Sequence, residues 1–194
     1  MIYLDNSATT QMDDEVLTAM LPWLREDYGN ASSIYALGRR ARVAIEQARA
    51  DIAACINAHP AEIFFTSGGT EANNTVLKSC VDESDLADTI AVGATEHHAI
   101  LHPLEILAHK YPTAIIPVDE QGLIKKEIVH TYNAPRTLIS IMHANNETGI
   151  IQPIQELRSL CPEALLHTDA VQSFGKIPFD VQQLGVDFAS FSAH

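Results

Sequence analysis

Five short polar clusters carry the residues that can do chemistry: TSGGTEANN (66–74), TEHHA (95–99), HANNETG (143–149), HTDAVQS (167–173) and SAH (192–194). In the first, Gly68 and Gly69 let backbone approach an anion, the amides of a following helix point at it, and Thr70 adds a hydroxyl. No lysine follows these glycines, so the segment is not a nucleotide P-loop; a plain strand-to-helix turn is the alternative. In HTDAVQS, Asp169 stands at the mouth of an apolar run, where an unpaired carboxylate is costly. A cationic ring nitrogen would satisfy it, and Gln172 lies three residues on; a simple capping role for Asp169 is the alternative. In TEHHA, an imidazole can stack on a flat ring or carry protons. His98 and His102 have helical metal-ligand spacing, but no third ligand is evident and no metal is expected. Asn145 and Asn146 can bond a ligand or shape an Asx-turn before Gly149. Ser192 and His194 add two more donors.

These residues need elements that bring them together. A helix is expected over 13–26, capped by Asp13 with Val16, Met20 and Leu24 on one face. A second runs through 34–56, with Leu37, Ala41, Ile45, Ala48 and Ile52 as its stripe. Strands are expected at 62–66 (EIFFT), 89–94, 114–118, 137–143, 164–169 and 186–192, separated by helical patterns. Apolar strands alternating with helices mean a largely parallel α/β sheet covered on both faces, and such sheets bind ligands beyond the carboxyl ends of their strands. The five clusters all follow such ends. Together they offer anion-binding amides and hydroxyls, a carboxylate for a ring nitrogen, a stacking ring and an amide for a polar substituent. Pyridoxal phosphate has the matching phosphate, ring nitrogen, flat ring and 3-oxygen.

The bulk properties narrow the partners. With 194 residues the chain can build a sizeable core, and 46% hydrophobic with 19% charged residues excludes a disordered chain. A formal charge of −13 disfavours nucleic acid and anionic membranes. No apolar run approaches the roughly 20 residues of a spanning helix, and the N-terminus MIYLDNSATT has no secretory leader, so a cytoplasmic location is expected. Cys55, Cys80 and Cys161 form no CxxC pair and are expected to be small buried hydrophobes. His59, His109, His130 and Lys176 read as surface residues.

The motifs IYLDNSATT, FTSGGTEANN, TEHHAIL, SIMHANNETG, HTDAVQSFGKIP and DFASFSAH closely resemble, in order and spacing over the whole length, those of the cysteine desulfurases. These are a branch of the class V aminotransferases; SGGTE and ANNETG are similar to the iron–sulfur-cluster and nitrogen-fixation-type group. The resemblance implies a pyridoxal-phosphate enzyme of the aspartate-aminotransferase-like fold. Residues 1–12 would be an N-terminal arm and 13–194 the cofactor-binding large domain, incomplete at its C-terminus, with the small domain absent. By position, Gly69 and Thr70 would bind the phosphate with Ser192 and His194 assisting. His97 would stack on the ring and act catalytically in proton transfer, Asn146 and Gln172 would contact the 3-oxygen side, and Asp169 would pair with the ring nitrogen. The Schiff-base lysine is expected directly after His194, so a polypeptide ending there is expected to be inactive alone. The implied reaction converts L-cysteine to L-alanine in a homodimer, passing persulfide sulfur to an acceptor or scaffold protein. Another class V enzyme, such as a selenocysteine lyase or a transaminase, and a non-catalytic fragment are the rival readings. A mobile-loop cysteine in the small domain would discriminate.

Overall fold

Backbone amides in an apolar interior need partners, and parallel strands obtain them only from neighbours delivered by helical crossovers. The computed structural model describes residues 2–83 and 86–193 and resolves this requirement in chain order as α1 (Asp14–Arg25), α2 (Ala36–Ile56), α3 (Gly69–Lys78), β1 (Thr89–Gly93), α4 (His98–Leu107), β2 (Thr113–Ile116), α5 (Lys126–Val129), β3 (Thr137–Ser140), α6 (Ile154–Leu160), β4 (Leu165–Asp169), α7 (Val181–Leu184) and β5 (Phe188–Ser190). His194, expected at the site, lies outside the described residues. The chain divides into two compact units, residues up to 64 and residues 65–193.

In the first unit, Asp13 caps α1 as the sequence indicates, its carboxylate accepting from the Glu15 amide at 2.7 Å. The expected stripe of α1 is not buried within the chain: Leu24 is 68% exposed, and Val16 and Met20 are also exposed. Helix α2 ends on Asn57 in the left-handed conformation and buries Gly38, Ala41, Ala53 and Ile56, a stripe that shares only Ala41 with the one expected. The expected strand at 62–66 is absent. A three-residue 3-10 turn occupies Pro60–Glu62, and the residues after it join no ladder. Phe64 is 82% exposed. An extended apolar run becomes a strand only when a neighbouring strand forms a ladder with it, and the described sheet consists of β1 to β5 alone.

The second unit holds a parallel sheet of order β2-β1-β3-β4-β5. The ladder between the third and fourth strands continues past β3, with the Ile141 amide donating to His167 and the His143 amide to Asp169. Alternation sorts side chains to two faces. Ala91, Ile139 and Leu166 pack with Val129, Ile154 and Leu157 under α5 and α6. Ile90, Val92, Leu138 and Leu165 pack with Leu77, Ile100 and Leu104 under α3 and α4. A fully buried Ile or Leu contributes about 1.5–3 kcal/mol. An exposed ion pair such as Lys126–Glu156 gives about 0–1 kcal/mol. The two apolar layers therefore hold the sheet.

The same alternation places a polar row on the α3/α4 face. His167, one step short of Asp169 on that face, is hydrogen-bonded through Nδ1 to Ser140 Oγ at 2.8 Å and through Nε2 to Ser190 Oγ at 3.0 Å. Burial pushes its pKa down to about 3, so it stays neutral and clamps β3, β4 and β5 together. Among the described residues, no helix is long and apolar enough to cross a membrane. Cys80 and Cys161 are buried as expected, and burial, with the nearby Asp187 adding to it, pushes the Cys80 thiol up to about 11. Cys55 departs from the expectation and is exposed. The surface reading of His59, His109, His130 and Lys176 matches the structure.

Candidate functional site

From β1 the chain order runs one way to β2 and the other way to β3, so the crevice at the carboxyl ends of β1 and β3 is the switch point where such sheets bind ligands. TEHHA follows β1, HANNETG follows β3, HTDAVQS runs out of β4 and Ser192 follows β5. TSGGTEANN arrives differently, since no strand precedes it: it opens α3, which packs on the same face.

The N-terminus of α3 is shaped by its sequence. Gly68 is its N-cap, Thr66 Oγ1 donates to the Gly68 carbonyl, and the Glu71 carboxylate turns back to accept from the Ser67 amide at 2.6 Å. Gly69 is required for close approach, because a Cβ there would lie 2.8 Å from Val171 Cγ2. Amides of the first helical turn have no intrahelical acceptor and face outward with the positive end of the helix dipole. Gly69 and Thr70 thus stand beside the turn that leaves β4, with Ser192 close by; the same hypothetical Cβ would lie 3.8 Å from Ser192 Cβ.

Asp169 ends β4 and is 2% exposed. Its Oδ1 accepts from the Val171 amide at 3.0 Å and its Oδ2 from Asn73 Nδ2 at 2.6 Å. Burial raises its pKa above the ordinary carboxylate range; the Val171 amide, the Asn73 amide and the charge of His97 pull it back. Among the described residues, no lysine or arginine pairs with it. His97 is the N-cap of α4, its Nδ1 accepting from the Ala99 amide at 3.1 Å. Nδ1 is thus the acceptor of the cap, and Nε2 is the ring nitrogen that the cap does not use. His98 stacks on His102 with centroids 4.8 Å apart. Among the described residues, no group of three or more His, Cys, Asp or Glu is placed to hold a metal ion.

The two asparagines of HANNETG have separate fates. Asn145 shapes the turn, accepting from the Glu147 and Thr148 amides and donating to the Thr95 carbonyl. The Asn146 side chain, half-buried, makes no such bond within the described residues. Gln172 accepts from Lys176 Nζ at 3.2 Å.

Two residues of the crevice carry no role in the sequence reading. Asn73 is buried against Asp169. Glu96, 7% exposed, accepts from the Met142 amide through Oε1 at 2.6 Å and so ties the end of β1 to the end of β3. Its Oε2 has no partner among the described atoms. Burial holds its pKa well above the ordinary 4.5, the Met142 amide opposes this, and the charge of Asp169 raises it further. Nothing local in the sequence marks either residue as buried, because burial is a tertiary property.

The Glu96 proton has a measurable consequence. A carboxyl whose pKa is raised in the fold takes up a proton on folding between its unfolded and folded pKa values, so it stabilises below that window and costs stability as pH rises through it. In the full-length protein, Glu96→Gln is expected to gain thermal stability over wild type progressively from about pH 4.5 upward. The slope is up to about 1.4 kcal/mol per pH unit. A stability difference that is flat from pH 4.5 to 8 would show that Glu96 is ionised in the fold.

The chain resembles known proteins over its whole length. A family model described as aminotransferase class V matches residues 2–194. Cysteine desulfurase IscS of Dictyoglomus turgidum is 46% identical over all of this chain and half of the relative; that of Methanosarcina thermophila is 42% identical over all of this chain and 49% of the relative. Among solved structures, a NifS-like protein superposes with a TM-score of 0.94 at 41% identity, covering 100% of this chain and 55% of the other. A structure described as SspA in complex with cysteine does so at 0.92 and 34% identity, covering 99% and 57%. The chain therefore spans about half the length of the curated relatives it matches.

Proposed function

Because the chain belongs to the aminotransferase class V family, whose cofactor is pyridoxal phosphate, we propose that it is the cofactor-binding half of a cysteine desulfurase. Residues 1–12 serve as an arm and 13–194 as the incomplete large domain. The single observation that carries the assignment is Asp169: a buried carboxylate with no lysine or arginine partner among the described residues, on the sheet face that also carries the free amides of α3. A phosphorylated pyridinium supplies the missing charge at one end and the anion at the other, so the residues present fit the cofactor.

When bound, pyridoxal phosphate supplies an electron sink for the pair released at the α-carbon of the amino acid. The protein's own residues do the rest. The amides of Gly69 and Thr70, the Thr70 hydroxyl and Ser192 hold the phosphate, with His194 assisting. Asp169, in its charged form, keeps a proton on the ring nitrogen. His97 covers the ring and moves protons at Nε2. Asn146 and Gln172 bond the 3-oxygen side. The substrate is L-cysteine, the products are L-alanine and a persulfide for an acceptor or scaffold protein, and the full-length protein works as a cytoplasmic homodimer.

The test is an assay of the full-length protein loaded with pyridoxal phosphate. It is expected to release alanine and sulfide from L-cysteine in presence of a thiol, in equal amounts. Amino-group transfer to a keto acid without sulfide would assign it to the transaminases instead.

A further inference from the structure

Helical residues four apart share a face. Gly69 and Asn73 are therefore the stripe of α3 that meets the end of β4: Gly69 lies against Val171, and Asn73, 1% exposed, reaches Asp169. One side chain thus links the helix whose first-turn amides could receive an anion to the carboxylate at the end of β4. The amide has only one workable orientation, since reversing it would set Oδ1 against the carboxylate oxygens at 2.6 Å. That orientation leaves Asn73 Oδ1 buried with no partner among the described atoms, a costly arrangement for a residue whose task is packing alone.

We propose that Asn73 is the positioning residue that aims and holds the Asp169 carboxylate, fixing its place relative to the N-terminus of α3. This rests on the reading of Asp169 as the partner of the ring nitrogen. With Oδ1 held by the Val171 amide and Oδ2 by Asn73, the carboxylate cannot swing, and its remaining lone pairs are left for a ring N–H. A donor to the charged form also opposes the burial that would protonate Asp169.

The experiment titrates Asp169 in the full-length, cofactor-free protein by carbon-13 NMR of aspartate side-chain carboxyls, with Asp169→Asn giving the assignment. A hydrogen bond to a charged acceptor corresponds to about one to two pKa units. Asn73→Leu is expected to raise the Asp169 midpoint by at least about one unit and to weaken pyridoxal phosphate binding about tenfold or more. Asn73→Asp keeps the shape and places two carboxyls in contact, so the pair is expected to share one proton and its upper apparent pKa to rise by about two units or more. A midpoint within about 0.3 unit of wild type in either folded variant would overturn the proposal. The titration uses neither substrate nor cofactor, so its outcome is independent of whether cysteine is the substrate.

Discussion

Asp169→Ala in the full-length protein, assayed at saturating pyridoxal phosphate, is expected to lower kcat/KM for L-cysteine by about 10²–10³-fold or more. Removing one preorganised group aimed at developing charge has that scale of effect. The variant also deletes the acceptor of the Asn73 amide, leaving a second buried orphan beside the existing one. Asp169→Asn separates the two effects: it keeps the volume and an acceptor, so folding is retained while the negative charge is lost. Both variants are expected to be equally impaired in turnover, and only Asp169→Ala to be less stable. Near-normal turnover by Asp169→Asn would show that the charge at this position is not what the reaction uses.

The second large effect concerns His97, which has two duties that one substitution can divide. Its Nδ1 caps α4, and its Nε2 makes no hydrogen bond among the described residues. Asparagine is among the best capping residues, and an Ala at a cap costs about 1 kcal/mol. His97→Asn is therefore expected to keep the helix start and stability while lowering kcat by about 10²–10⁴-fold, the scale of general acid–base catalysis. His97→Ala should lose the same activity and, in addition, stability. Cofactor affinity should change far less than kcat in His97→Asn. A variant that lost affinity and kept kcat would make His97 a binding group alone.

The legible and illegible parts of this chain divide along a physical line. Helices and central strands announce themselves through local pattern: Asp13 caps α1 because the aspartate precedes the first apolar turn, and β1, β3 and β4 are apolar runs whose two faces are both covered. The edge of the pattern failed where structure depends on a neighbour. EIFFT has strand composition, yet Phe64 and Phe65 stand exposed and the segment joins no ladder of the described sheet, because a ladder is a property of two segments. The stripe of α1 failed in the same way. At the site, Asp169, Gly69, Thr70 and His97 were readable because each sits beside a recognisable turn or cap. Asn73 and Glu96 were not, because nothing local distinguishes a buried amide or acid from a solvated one. Of the two readings of HANNETG, the turn reading holds for Asn145, whose side chain accepts from the Glu147 and Thr148 amides.

The central claim is that the buried carboxylate at the end of β4, which pairs with no lysine or arginine among the described residues, exists to keep a ring nitrogen protonated. Nitrogen-15 NMR of the full-length protein loaded with pyridoxal phosphate labelled at the ring nitrogen reads this directly. The account predicts a protonated ring nitrogen in wild type at neutral pH and an unprotonated one in Asp169→Ala. An unprotonated nitrogen in wild type, or a protonated one that persists in Asp169→Ala, would contradict it.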